Sequence, residues 1–361
     1  MKSKFYLPIL KSKLGEFTGL SKLNVGQKEK IVPLFEITPL EWDQTERKIP
    51  RTLHDHLDAF CKKILSKWPS SNCFIDSNLL NLNGTDNRKE IEYVFDKLSL
   101  KSINPCPIVT LTSPYDFLDT ILKITKKYSI KDIGIRITPK DVTASEFSEQ
   151  IQVILKYLEF LPSNCHLIFD LADSNFSEIT DLSDAIIAIL ETFPNFEQWK
   201  SFTIAGSAFP SSNLIKEGLS EFSRNEWNCY LLLLEKINSS DCKRQINFGD
   251  YSIVHPGYFE FNPKIMKASA NIRYTLNDKW CIIKGKALKE SIDYEQYFEL
   301  SKRIYELKSF FGESFSEGDL QIARCTRKEV KPGSPNIWNW VGNNHHFVKV
   351  LHDLSSMTHD S

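Results

Sequence analysis

Eight short apolar runs, each followed by an amphipathic helical stretch, pass down this chain between Tyr6 and Phe311, and that alternation constrains the fold more than any other feature. The runs occupy residues 5–10, 31–37, 73–76, 107–111, 133–137, 166–170, 202–205 and 246–251. They are nearly continuous in apolar residues, as expected of strands covered on both faces. Helical spacing separates them: Leu53, His56, Leu57, Phe60, Cys61 and Ile64, then Ile91, Val94, Phe95 and Leu98, with similar stripes at 117–124, 147–158, 182–189 and 227–234. Ser113-Pro114 reads as a helix start, and Thr143 to Glu146 as a capping box. The pattern predicts an α/β chain folded as a closed parallel (β/α)8 TIM-type barrel.

The eighth helix is displaced in the sequence. After the eighth run come two β-type stretches, 270–275 and 280–283, joined by the polar loop 276–279, and helical periodicity returns only at Tyr294, Phe298, Leu300, Ile304, Leu307 and Phe311. Residues 256–290 therefore read as an insertion in the eighth strand-to-helix loop, forming a β-hairpin lid over the barrel mouth. The expected organisation is a barrel over 1–311 and a C-terminal extension over 312–361 packed upon it. At 361 residues the chain exceeds a bare barrel of about 250, which leaves room for this elaboration in one large domain.

Charge and cysteines narrow the setting. The 45 basic and 46 acidic side chains nearly cancel, which removes a global electrostatic argument for nucleic acid or membranes as partners. The basic clusters at Lys2, Lys4, Lys11, Lys13 and at Lys126-Lys127 read as solvated surface. Eight cysteines without a Cys-x-x-Cys pair fit buried thiols in a reducing compartment. With no signal peptide and no apolar membrane span in the sequence, a cytoplasmic location is expected.

A parallel barrel places its chemistry where the strands end. Lys11 and Glu16 follow the first strand, Glu36 ends the second, Asp76 the third, Thr110 the fourth, Arg136 the fifth, Asp170 and Asp173 the sixth, Ser207 the seventh, and Asp250 with Tyr251 the eighth. Carboxylates inside apolar runs are costly to desolvate alone, and Arg136 is their natural counter-charge. Two readings follow: a salt-bridge network closing the barrel interior, or a catalytic constellation in which Glu36, Asp76, Asp170, Asp250 and His255 act as bases or ligands to Mg2+ or Mn2+. In the second reading Lys11, Glu16, Arg136, Tyr251, Arg273, Lys284 and His346 bind the ligand, the cations orienting a phosphate or carboxylate. His345 and His346 reach such a site only if the C-terminal segment folds back. His54 and His56 read as structural. Phosphate-loop, dinucleotide, zinc-helix and serine-elbow motifs do not occur.

Several segments resemble the beta-protein family, named after a protein of a T-even bacteriophage. They are Tyr6 to Lys11 with Gly15-Glu16, Val32 to Ile37, Gly249-Asp250-Tyr251 with His255-Pro256, Ile272-Arg273-Tyr274, Lys284-Gly285, and Trp340 with His345-His346. The resemblance implies a barrel protein and a setting in phage–host conflict; it brings no reaction or catalytic residue with it. Two functions are therefore carried forward. One is a metal-assisted hydrolase or transferase of a phosphorylated or nucleotide-like ligand. The other is a non-enzymatic defence, counter-defence or immunity component that uses the barrel as a protein-binding scaffold.

Overall fold

A computed structural model describes residues 4–40, 51–69, 72–80, 85–101, 103–239, 244–257, 268–289 and 291–357. Lys2, Cys242 and residues 258–267 of the expected lid lie outside the described residues. Strands β1 (Leu7–Leu10), β2 (Leu34–Glu36), β3 (Cys73–Asp76), β4 (Pro105–Thr110), β5 (Ile133–Ile137), β6 (Cys165–Asp170), β7 (Ser201–Gly206) and β9 (Asn247–Asp250) pair in parallel and close into a barrel, β9 returning to β1. The remaining strands, β8 (Gly218–Ser223), β10 (Ser269–Thr275) and β11 (Lys279–Ala287), form an antiparallel sheet in the order β10-β11-β8. The expected eight-stranded α/β barrel is the architecture observed.

Strand alternation divides the barrel residues between two environments. Phe5, Leu7, Ile9, Val32, Leu34, Phe74, Cys106, Ile108, Ile168, Ala205 and Tyr251 form one apolar cluster. Their alternate neighbours Tyr6, Leu10, Phe35, Ile75, Val109, Ile135, Leu167 and Phe248 belong to a larger cluster shared with the helices. These are the filled interior and the strand–helix layer of a parallel barrel.

The helices α1 (Leu14–Ser21), α2 (Val25–Lys28), α3 (Leu53–Lys67), α4 (Thr85–Ser99), α5 (Tyr115–Lys127), α6 (Pro139–Val142), α7 (Phe147–Leu158), α8 (Ile179–Glu191) and α9 (Asn225–Ser239) follow the first seven barrel strands. Two of their starts differ from the sequence reading. Ser113 does not cap α5, because its hydroxyl turns back to accept the Thr110 N–H at 2.9 Å. The capping box lies one turn earlier than expected, on α6, where Thr138 pairs with Asp141. Among the described residues no helix is long and apolar enough to cross a membrane, and seven cysteines are buried free thiols.

The eighth helix of the ring is α12 (Pro335–Ser356), not the segment around 294–311. Phe347, Val348, Val350 and Leu351 of α12 enter the same core as Tyr6 and Leu10, so the stretch read as an extension completes the barrel. Helices α10 (Gln296–Tyr305) and α11 (Glu317–Thr326) instead cover the outer face of the added sheet, packing around Ile272, Tyr274, Cys281 and Ile283. Both segments are amphipathic; the second core takes α10 because the hairpin beside it presents an unburied apolar face. Helix α12 seats on α1 through glycine. A Cβ at Gly15 would lie 2.6 Å from Asn339 Cβ, and one at Gly19 would lie 3.0 Å from Asn343 Cβ.

Arg224, just before α9, ties these parts together. Fully buried, it donates from Nη1 to the carbonyls of Leu276 (2.9 Å) and Asn277 (3.1 Å) in the hairpin turn and to Asp353 of α12 (3.2 Å). Its guanidinium lies between the rings of Trp227 and Trp280, 5.4 and 5.7 Å from their centroids. Glu226 beside it accepts the Ala208 N–H at 3.2 Å, and burial pushes its carboxyl up to about 7 against the pull of Arg224. A folded value above the ordinary 4.5 means that the contribution to stability is complete below 4.5 and lost as pH rises through 7. Glu226→Gln is therefore expected to exceed the parent in stability by about 1–3 kcal/mol at pH 8. Urea unfolding at pH 5 and pH 8 checks this, the advantage disappearing at the lower pH.

Candidate functional site

Arg136 of β5 stands at the centre of the carboxyl ends of the strands, with all five guanidinium N–H donors engaged. Nε and Nη2 donate to Asp170 Oδ2 at 3.0 and 2.6 Å, and Nη2 also to the Tyr251 hydroxyl at 2.8 Å. Nη1 donates to Glu36 Oε1 at 2.8 Å and to Asp76 Oδ2 at 2.6 Å. Tyr251 in turn donates to Asp170 Oδ2 at 2.6 Å, and Lys11 Nζ to Glu36 Oε2 at 2.6 Å, with the ammonium 5.2 Å from the Tyr251 ring centroid. Lys11, Glu36, Asp76, Arg136, Asp170 and Tyr251 thus form one network drawn from six strands or strand ends. Arg136 keeps 13% of its side chain exposed, whereas the three carboxylates keep 4% or less.

Three strand ends share a local device. Asp76, Asp170 and Asp250 each accept the backbone N–H two residues on, from Asn78, Ala172 and Ser252 at 2.9, 2.9 and 2.8 Å. Each strand therefore ends in an Asx turn that occupies one carboxylate oxygen and leaves the other for a partner. Ser12, Ala172 and Ser252 adopt φ of 58°, 47° and 55°, a left-handed conformation unusual for these residue types.

The charges are uneven. Glu36 and Asp76 are directly opposite in the β2–β3 register and share one guanidinium nitrogen. Burial raises the Asp76 carboxyl above its ordinary value although Arg136 opposes the shift, and Glu36 acts in the same direction as burial. Tyr251 is also raised well above its ordinary value, chiefly by burial. For Arg136 burial alone would lower the value, but Tyr251, Asp170, Glu36 and Asp76 more than offset it, so the cation is permanent. Two cations thus face three carboxyls; Glu36 touches both cations, whereas Asp76 and Asp170 touch Arg136 alone.

Asp250 does not join this network. It precedes Tyr251, whose ring belongs to the barrel interior, so strand alternation turns Asp250 outward to the helix layer. There Tyr6 donates to Oδ1 at 2.6 Å and His346 Nε2 contacts Oδ2 at 2.8 Å. The Thr275 hydroxyl meets His346 Nδ1 at 2.9 Å, and burial lowers the His346 value, so the ring is neutral and gives its one proton to Asp250. His346 therefore fixes α12 to β9 and β10; it does not face the mouth. Its neighbour His345 presents Nδ1 to Asp319 and Nε2 to the Thr275 carbonyl, both at 2.8 Å. Burial alone would raise Asp319, but His345 outweighs it and holds the carboxyl below its ordinary value. His345 is thus held between a carboxylate and a carbonyl, one at each ring nitrogen.

Other sequence candidates are placed elsewhere. Glu16 reaches back to accept the Lys13 N–H at 2.8 Å, which caps α1. His255 lies at the rim, with Nε2 3.5 Å from Asp173 Oδ2 and Nδ1 accepting the Gly257 N–H at 3.1 Å. That pair links the loops already joined below by Tyr251 and Asp170. Arg273 and Lys284 approach the same end of the barrel, donating to the carbonyls of Ile253 (3.0 Å) and Ile215 (2.8 Å), but neither contacts Asp250. Arg224, Glu226 and Asp319 were not singled out from the sequence, since isolated charges outside strand ends give no pattern that marks them.

Comparison with known proteins places the chain. The family model described as Beta protein matches residues 6–352. The chain belongs to the Beta protein family. No curated protein matches it. Among solved structures it is similar to the catalytic domain of a hyperthermophilic chitinase from Pyrococcus furiosus, at 9% identity and a TM-score of 0.38 over 69% of this chain and 84% of that one. It is also similar to a GH128 endo-beta-1,3-glucanase from Amycolatopsis mediterranei, at 12% identity and 0.29 over 56% and 88%. A glucosidase from Croceicoccus marinus matches at 9% and 0.34 over 63% and 54%. At these values the likeness carries nothing about substrate or mechanism for this Beta protein family member.

Removing the hub would strand buried Asp76 and Asp170 and leave Glu36 with Lys11 alone. Arg136→Ala is expected to cost about 3–5 kcal/mol at pH 7.5. The deficit should shrink towards pH 4.5 as the uncompensated carboxyls take up protons; denaturant midpoints across that range check it, and a loss independent of pH would mean the cost is packing alone.

Proposed function

We propose that the barrel mouth is an acid–base centre for hydrolysis or group transfer on a phosphorylated or nucleotide-like ligand. The supporting observation is the Glu36–Asp76 pair held on one nitrogen of Arg136: two adjacent carboxyls with unlike surroundings, Glu36 between two cations and Asp76 beside one, are the basis for assigning an acid and a base. Asp76, raised by burial, is the proposed proton donor to a leaving group. Glu36, held between Arg136 and Lys11, is the proposed base for the attacking water or acceptor. Arg136 has no N–H left for a ligand, so its part is to fix the two carboxyls and Asp170. His255, at the rim, is a second proposed proton carrier.

A divalent cation such as Mg2+ or Mn2+ enters this proposal with the ligand. Among the described residues no group of three histidine, cysteine, aspartate or glutamate side chains is placed to hold one. Mg2+ commonly binds through substrate phosphates with only one or two carboxylates. The saturation of Arg136 favours a second reading, a rigid scaffold that binds a protein of a phage or defence system without catalysis.

Turnover assays on a panel of nucleotides and phosphate monoesters, with and without Mg2+ or Mn2+, separate the two readings. The enzyme reading expects product in the wild type, with kcat lowered about 10²–10⁴-fold in Asp76→Asn and in Glu36→Gln. Absence of turnover by the folded protein across the panel, together with a stoichiometric protein partner that Asp76→Asn still binds, would leave the scaffold.

A further inference from the structure

Among the described residues, other buried cations meet carboxylates: Arg136 meets three, Arg224 meets Asp353, and Lys11 meets Glu36. The added sheet breaks that rule. In the β10–β11 register Arg273 is opposite Ile282 and Lys284 is opposite Asn271, so Arg273 and Lys284 are diagonal neighbours on one face. It is the face turned to the barrel, because Ile282 packs with Phe209, Ile215, Ile253 and Trp280. The opposite face carries Ile272, Tyr274, Cys281 and Ile283 into the core under α10 and α11.

Neither cation has an acid among the described residues. Arg273 donates from Nη1 to the Ile253 carbonyl, its guanidinium lies 5.5 Å from the Phe209 ring centroid, and its buried Nε has no hydrogen-bond partner. Burial lowers its value to about 10, with no carboxylate to counter the effect. Lys284 Nζ donates to the Ile215 carbonyl. Those carbonyls belong to the loops that follow β7 and β9. A guanidinium with an unpaired buried Nε and a half-buried ammonium diagonal to it on the same face, each holding only a neutral oxygen, favour an anion between them.

We propose that Arg273 and Lys284 form an oxyanion site that receives a phosphate group, at the junction between the added sheet and the loops after β7 and β9. Arginine offers a planar donor edge to phosphate and lysine a point charge, the usual division of roles in such sites. The inference rests on the mouth being a site for a phosphorylated ligand: catalysis would be at Glu36 and Asp76, and the phosphate held at the rim of the same barrel end.

Inorganic phosphate and pyrophosphate are the probes, titrated by calorimetry into the full chain at constant ionic strength. Saturable binding is expected in the wild type, weakened at least about tenfold by Arg273→Gln and by Lys284→Gln, and unchanged by Asp76→Asn. Arg273→Lys should retain part of the affinity. Thermal melting establishes that each variant is folded, and Lys284→Gln, at the more open position, serves if Arg273→Gln is not. Binding that persists equally in the folded Gln variants, or no saturable binding to the wild type, overturns the site. Phosphate binding without turnover of any ligand would sink the catalytic reading and leave this site standing.

Discussion

Three carboxyl groups at the end of a parallel barrel have to be neutralised without water, and the guanidinium of Arg136 does most of it. Its five donors reach β2, β3, β6 and the end of β9, so one side chain from β5 clamps much of the barrel's circumference. The fixed planar fork suits this work, where a lysine would supply one point of charge. Saturation has a chemical consequence too. A hub with no remaining donor positions the groups around it and leaves direct ligand contact to others, which shifts attention to Glu36, Asp76 and the cations at the rim.

The ring of helices closes by a long detour. Between β9 and α12 the chain builds a hairpin, two helices and a second core before returning to the barrel. Returning accurately requires contacts that no other helix could make. Gly15 and Gly19 admit the backbone of α12 against α1, and the consecutive residues His345 and His346 bond to Asp319 and Asp250, with Thr275 serving both imidazoles. The same helix thereby fixes the added sheet over the end of the barrel. That placement brings Arg273 and Lys284 to the loops after β7 and β9.

Much of the fold and part of the candidate site were legible in the chain itself. The eight apolar runs, the helices that follow the second to seventh of them, the hairpin and the position of Arg136 among strand-end acids all follow from local periodicity, which depends on a few neighbouring residues. Glu36, Asp76 and Asp170 could be named because each terminates a run in which a charge is out of place. Asp250 met the same criterion, yet the alternation of the strand sends it to the opposite side from Tyr251. Applied strictly, the period of two would have separated those adjacent residues.

Tertiary structure decided what local pattern left equal. The stretches around 296–305 and 335–356 are both amphipathic, and only competition between two cores assigns the first to the sheet and the second to the barrel. The strand at 218–223 is short and alternately exposed, and it becomes a strand because β11 supplies the ladder that it lacks alone. The hydrogen-bond partners of His345 and His346 likewise lie 26 and 96 residues away in sequence. Sequence by itself determined the repeating unit and the residues that end each strand. Long-range packing decided which helix closes the ring, which acids face the mouth and which cations are left without an acid, because those outcomes depend on groups that meet only after the chain has folded.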